Sequence, residues 1–121
     1  MTLRSFSLAL ASCLLFAITL LNFAVSAQTE PSRVEISAKR FAFTPSDITL
    51  HRGEPVVLVF KSEDVTHGIH FDDLNLEATI DKKTSVEVPF TPQKTGVFVG
   101  HCANFCGAGH GAMMLTIHVV E

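Results

Sequence analysis

The sequence has no tryptophan, no tyrosine and no excess of basic residues. It contains 9 Lys and Arg against 12 Asp and Glu, for a net charge of −3 at pH 7. Proteins that bind nucleic acids usually carry a basic patch, so we expect no nucleic-acid partner. Because phenylalanine, with 10 copies, is the only large aromatic residue, it has to fill most of the large volumes of the core.

A long amphipathic helix is also missing from the sequence pattern. Beyond residue 31 the chain consists of short runs rich in Val, Ile, Phe and Thr, separated by turn residues, as in a series of β-strands. SVEVPF and LTIHVV have the two-residue period of half-buried strands. VVLVF is apolar throughout, which predicts a central strand covered on both faces. The other expected strands are RVEISA, FAFTP, DITL, GIHF, LEATI and GVFVGH. So many strands in a short chain predict an all-β fold, a two-sheet Greek-key sandwich.

The N-terminal residues have the pattern of an export signal. One basic residue, Arg4, precedes an apolar run over residues 6–25, and Val-Ser-Ala at 25–27 supplies the small residues that a signal peptidase requires. The run also approaches the ~20 residues that span a bilayer, so an uncleaved membrane anchor is the alternative. A lipoprotein cleavage box ending at Cys13 is less suitable, because too little apolar sequence precedes it.

This pattern predicts the domain organisation and the location. We expect a signal peptide or anchor at 1–27, a short linker at 28–32 and one domain at 33–121. The predicted location is periplasmic or otherwise extracytoplasmic, with membrane contact only through the N-terminal segment if it is not removed.

The segment HCANFCGAGHGAMML, residues 101–115, brings together four side chains that bind metals. Cys102, Cys106, His110 and Met113 follow one another at intervals of four, four and three. Two cysteines in an oxidising compartment often form a disulfide, but a disulfide explains neither the histidine nor the methionine. Zinc binds thiolate and imidazole but does not need a thioether. Thiolate, imidazole and thioether together are the soft ligands that select copper, so we favour a copper site.

A further ligand is expected from SEDVTHGIHF, which follows the apolar strand VVLVF. The end of that strand and the cysteine loop can meet at one end of a sandwich. His67 lies at the loop and is the better candidate, whereas His70 lies within the next strand. His51 is expected in solvent, and the alternation of the last strand points His118 outward. His101, beside Cys102 in sequence, is expected to be an exposed neighbour of the site.

DVTHGIHF, followed at a distance by CANFCGAGHGAM, resembles the CuA-type cupredoxin domain of cytochrome c oxidase subunit II. The resemblance extends over residues 33–121, and FAFTPSDITLHRGEPVVLVF resembles the opening strands of cupredoxins. It implies a cupredoxin-like sandwich with two copper ions. It also implies a set of metal ligands: His67, Cys102, the main-chain carbonyl of Asn104, Cys106, His110 and Met113.

The resemblance further implies a role for each ligand and for the protein. The two cysteines bridge the copper ions, each histidine binds one ion, and Met113 and Asn104 are weak ligands. A mononuclear blue-copper protein needs only one cysteine, so Cys102 distinguishes the binuclear interpretation. Many oxidase subunits have glutamate where this chain has Asn104, which puts their magnesium link in doubt here. They also carry tryptophan for electron transfer from cytochrome c and two membrane helices, which this sequence lacks.

The implied function is one-electron transfer and not enzymatic catalysis. The expected partner is a redox protein such as a c-type cytochrome or a terminal oxidase, and a copper donor or thiol reductant is expected to act before the site forms. Two alternatives stay open from the sequence. One is a periplasmic chaperone or storage protein that delivers copper to an oxidase, and the other is a mononuclear blue-copper protein.

Overall fold

The structure is a computed structural model that describes residues 29–121. The predicted signal peptide or anchor at 1–27 lies outside the described residues and stays a prediction. Within residues 29–121, no helix has the length and apolarity needed to cross a bilayer.

Nine strands make up the described part of the chain, and each expected segment forms one of them. Their bounds are β1 Ser32–Lys39, β2 Ala42–Thr44, β3 Asp47–His51, β4 Val56–Ser62, β5 His67–Phe71, β6 Leu76–Ile80, β7 Ser85–Phe90, β8 Gly96–His101 and β9 Met114–Val120. A single 3-10 turn, His110–Ala112, interrupts the loop before β9. The prediction of an all-β fold is confirmed.

The strands form two sheets. One sheet has four strands in the order β2-β1-β4-β7, and the other has five in the order β3-β9-β8-β5-β6. Strands β1 and β4 run parallel, as do β3 and β9, and the other pairs are antiparallel. The alternation of buried and exposed residues along β9 confirms its two-residue period.

The core lies between the inner faces of the sheets. Its largest fully buried side chains include Phe43, Phe60 and Phe71, which confirms that phenylalanine fills the large volumes. Burying one such side chain contributes about 1.5–3 kcal/mol relative to leaving it in water. The fold therefore positions its loops on a well-packed support.

Strand β4 is central in its sheet, but it is not covered on both faces. Val56, Leu58 and Phe60 are buried in the core, whereas Val57 and Val59 are only half-buried on the outer face. The prediction of full cover is wrong for that outer face. The physical reason is that a two-layer sandwich covers each sheet from one side only.

Contacts between distant segments bring the metal-binding motifs together at one end of the sandwich. Strand β5 begins at His67, and its Gly68 lies so close to the cysteine loop that an added Cβ would be 3.0 Å from the main-chain nitrogen of Asn104. The N–H of Cys102 donates a hydrogen bond to the carbonyl of Met113 at 3.0 Å, which closes the loop. The expected meeting of the two segments is confirmed.

Candidate metal centre

The candidate donors lie at the edge of the core. His67 and Met113 have no exposed surface, and Cys102 and Cys106 are each 4% exposed. His110 is half-buried on the 3-10 turn. Water is therefore largely excluded from the donor atoms, while the loop that carries them reaches the surface.

Four of these side chains form a continuous row. The Nδ1 atom of His67 lies 3.9 Å from the sulfur of Cys102, and the two cysteine sulfurs are 3.9 Å apart. The sulfur of Cys106 lies 3.8 Å from Nδ1 of His110. The order along the row is histidine, cysteine, cysteine, histidine.

Each cysteine also has a weaker donor beside it. The main-chain oxygen of Asn104 lies 3.1 Å from the sulfur of Cys102, and the thioether of Met113 lies 3.9 Å from the sulfur of Cys106. The structure thus gathers all six residues expected from the sequence, three on each side of a pseudo-symmetric arrangement.

These distances fit donors that share metal ions. Two ligands bound at ~2.0–2.3 Å to one tetrahedral ion lie roughly 3.5 Å from each other. Donor atoms of His67, Cys102 and Cys106 all lie within 4.8 Å of one another. Small side-chain movements therefore suffice for these residues to hold a metal.

The thiols are poised to exchange protons for metal. Burial raises the pKa of the Cys106 thiol, and the neighbouring Cys102 raises it further. Without metal this thiol is protonated at neutral pH, whereas a metal binds the thiolate. Metal binding therefore releases protons, and its strength depends on pH.

Sequence reasoning missed Asp64, which orients His67. Its Oδ1 atom accepts hydrogen bonds from Nε2 of His67 and from the N–H of Val65, both at 2.7 Å. Burial alone would raise the pKa of Asp64, but hydrogen bonds from the N–H of Arg40, from His67 and from Val65 outweigh it and lower the pKa to about 2. A carboxylate three residues before a candidate ligand was the available signal, because such groups commonly orient metal-binding histidines.

Arg40 was also missed, and it connects the two parts of the site. Its Nε atom donates a hydrogen bond to the carbonyl of Cys106 at 2.6 Å, and its N–H donates to Oδ2 of Asp64 at 3.0 Å. The adjacent Phe41 packs under the loop, where a Cβ on Gly107 would lie 2.9 Å from its ring. Gly107 has a φ of 139°, so both space and backbone conformation favour glycine there.

The other histidines lie outside this cluster. His70 contacts Asp72 and Glu77 on the exposed surface and not the cysteines. His118 faces outward, as predicted, and its Nε2 lies 3.0 Å from Oδ1 of Asp47. His51 and His101 are exposed, as expected.

Comparison with known proteins agrees with this geometry. The chain is 31% identical over 96 residues to cytochrome c oxidase subunit 2 of Thermus thermophilus, covering 78% of this chain and 71% of that protein. It covers 57% of a second such subunit, from another strain record of the same species, also at 31% identity. The chain therefore spans only part of the length of these relatives.

Solved structures show the same fold at lower identity. The periplasmic domain of oxidase subunit II of Bradyrhizobium japonicum has a TM-score of 0.68 at 18% identity, covering 74% of this chain and 84% of that domain. A mixed disulfide intermediate between thioredoxin-like TlpA and oxidase subunit II matches with a TM-score of 0.63 at 15% identity, covering 82% of this chain and 88% of the matched chain. A family model described as a cupredoxin-like domain matches residues 9–114, and the chain belongs to that family.

Proposed function

We propose that this protein is an exported electron carrier whose site binds two copper ions. The observation that carries the proposal is the row His67, Cys102, Cys106, His110, in which each neighbouring pair of donor atoms is 3.8–3.9 Å apart. Bound copper supplies the one-electron redox chemistry. The protein supplies soft ligands on a rigid sandwich, which limits their rearrangement between oxidation states.

The donor set supports copper over zinc. Thiolate, imidazole and thioether are ligands that suit copper, whereas structural zinc sites use four thiolate or imidazole ligands. The buried Met113 thioether lies 3.9 Å from Cys106 and would have no role in a zinc site. The similarity to oxidase subunit 2 supports the same choice.

The positions of the histidines support two ions and not one. A mononuclear blue-copper site needs two histidines close to a single cysteine. Here His67 contacts Cys102 and His110 contacts Cys106, so the histidines lie on different sulfurs. Two bridging thiolates between two copper ions use all of these contacts.

The surface beside the centre suits a redox partner. Phe105, between the two cysteines in sequence, is 81% exposed, and its ring centroid lies 5.7 Å from that of His110. An exposed aromatic ring next to a ligand allows a partner to approach the metal closely. We propose a c-type cytochrome or a terminal oxidase as that partner, because the relatives are oxidase subunits.

Export and a thiol reductant belong to the same proposal. A structural neighbour is a periplasmic domain, and the apolar run at residues 6–25 fits a signal peptide or anchor. Oxidase subunit II forms a mixed disulfide with a thioredoxin-like protein. By analogy, we expect a thiol reductant or a copper donor to act on Cys102 and Cys106 before copper binds.

Copper delivery to an oxidase would use the same ligands. Burial of both cysteines favours retention of copper, because a delivered ion has to be accessible to its acceptor. A chelator distinguishes the two functions. An electron carrier keeps its copper through repeated oxidation and reduction in the presence of a chelator, whereas a delivery protein loses it.

The test of the proposal is the copper content and the spectrum of the reduced, copper-loaded chain. We expect two copper ions per chain and the purple, delocalised mixed-valence spectrum of a CuA centre. Cys102→Ser should abolish that spectrum and leave at most one copper on Cys106. One copper per chain with a blue spectrum in the unsubstituted protein would overturn the binuclear proposal.

A further inference from the structure

A second group of metal-binding side chains lies on the outer face of the five-stranded sheet. The strand register places four residues side by side across neighbouring strands. In order from β6 to β9 they are Glu77, His70, His101 and Met114. Directly opposite residues of antiparallel strands point to the same face, so this row presents a carboxylate, two imidazoles and a thioether together.

The row faces solvent and not the core. Its neighbours along the strands, Ile69, Phe71 and Cys102, are buried, whereas His101 is exposed and the side chain of His70 is 43% exposed. The row is therefore separated from the buried cysteine cluster by the thickness of the sheet, although His101 is adjacent to Cys102 in sequence.

The two histidines are spaced for chelation. Their Cα atoms are direct partners across β5 and β8, and such pairs have Cβ atoms about 4.5–5.5 Å apart. Two imidazoles bound to one ion at ~2.0–2.1 Å can bridge that spacing. A histidine pair held by sheet register is pre-organised, because the backbone has already lost its conformational freedom.

Carboxylates surround one of these imidazoles. Nδ1 of His70 lies 3.0 Å from Oε2 of Glu77, and Nε2 lies 3.0 Å from Oδ1 of Asp72. When a metal takes one ring nitrogen, the carboxylate on that side can become a ligand. The carboxylate on the other side then orients the ring, as is usual for metal-bound histidines.

We propose that His70 and His101, with Glu77 or Asp72, form an external Cu(II) site that is distinct from the buried cysteine cluster. Imidazole nitrogen and carboxylate oxygen suit Cu(II), which binds most tightly among the divalent first-row ions. This proposal does not depend on the number of copper ions at the cysteines.

The experiment uses the full chain with Cys102→Ser and Cys106→Ser, which removes the thiolate ligands of the buried centre. Cu(II) is titrated at neutral pH and followed by EPR and by NMR line broadening. We expect nitrogen-coordinated Cu(II), with early broadening of the His70 and His101 signals. His70→Ala and His101→Ala should each weaken binding at least tenfold.

His118→Ala is the matched control, because His118 is also an exposed strand histidine next to a carboxylate. It should leave the affinity unchanged. An equal loss in this control, or no loss in either His70→Ala or His101→Ala, would overturn the external site. If the serine variants do not fold, the same NMR titration is made by adding further Cu(II) to the unsubstituted, copper-loaded protein, with the same expected and overturning results.

Discussion

Asp64 holds the ring of His67 by a hydrogen bond of 2.7 Å between Oδ1 and Nε2. Because Nε2 is engaged, the other ring nitrogen, Nδ1, faces the cysteine cluster. The carboxylate thus determines which nitrogen is available to a metal, and it does so from a position that contacts no sulfur in the described structure.

Asp64→Ala should weaken copper binding about 10–100-fold, the usual effect of losing a group that orients a metal-bound histidine. Asp64→Asn should have a smaller effect, because its amide oxygen can still accept a hydrogen bond from His67. Competition with a copper chelator measures both. Glu63→Ala removes the adjacent exposed carboxylate and should change nothing; an equal loss there would contradict a specific role for Asp64.

His67 should account for most of the thermal stabilisation by copper. A metal that binds only the native state raises the melting temperature by mass action. Copper loading, followed by desalting to remove weakly held ions, should raise the melting temperature of the unsubstituted protein. His67→Ala should remove most of that increase and His70→Ala should not. The opposite result would show that we chose the wrong histidine as the ligand of the buried centre.

Metal-free protein isolated in air should contain a disulfide between Cys102 and Cys106. Their sulfurs are 3.9 Å apart, so small side-chain rotations bring them to the ~2.05 Å of a disulfide bond. A bridged pair presents no thiolate, so copper uptake should require a reductant. Thiol counting before and after reduction measures this. Two free thiols, not counting Cys13, with prompt copper uptake in air would remove the need for a reduction step.

Arg40→Met should loosen the cysteine loop. It removes the hydrogen bond from the guanidinium to the carbonyl of Cys106, and bonds of charged groups contribute about 1.5–3 kcal/mol. The main-chain bond to Asp64 is unaffected by the substitution. Urea unfolding measures the change in the free energy of unfolding. Arg33→Met is the control, because Arg33 pairs with Glu87 on the exposed surface and should contribute about 0–1 kcal/mol. Equal effects would rule out a special role for Arg40.

His118→Ala should raise the pKa of Asp47. The hydrogen bond from His118 holds that pKa below its ordinary value, with a smaller contribution from Ser46. A lowered carboxyl pKa stabilises the fold above the unfolded value of about 3.9, and this contribution is lost as the pH falls towards the folded value. The variant should therefore differ from the parent near pH 5 and converge with it at lower pH. Carbon-detected NMR titration measures the pKa, with His51→Ala as a control that leaves it unchanged.

Local patterns in the sequence determined the strands and the composition of the candidate site. A period of two and the turn residues between apolar runs are properties of neighbouring residues, so all nine strands could be predicted. The spacing of Cys102, Cys106, His110 and Met113 is equally local, because one short loop carries all four. The choice of His67 over His70 followed from its place at the strand end, and the structure brings His67 to the cysteines.

Tertiary structure alone decided the features that depend on residues far apart in the chain. Arg40 contacts Cys106 across 66 positions, and no local pattern signals that hydrogen bond. The opposition of His70 and His101 depends on how β5 and β8 pair, and a shift of one residue would turn one of them into the core. Strand β4 reads as apolar on both sides, yet its outer face is only half-buried, because packing of the second layer decides which face is covered.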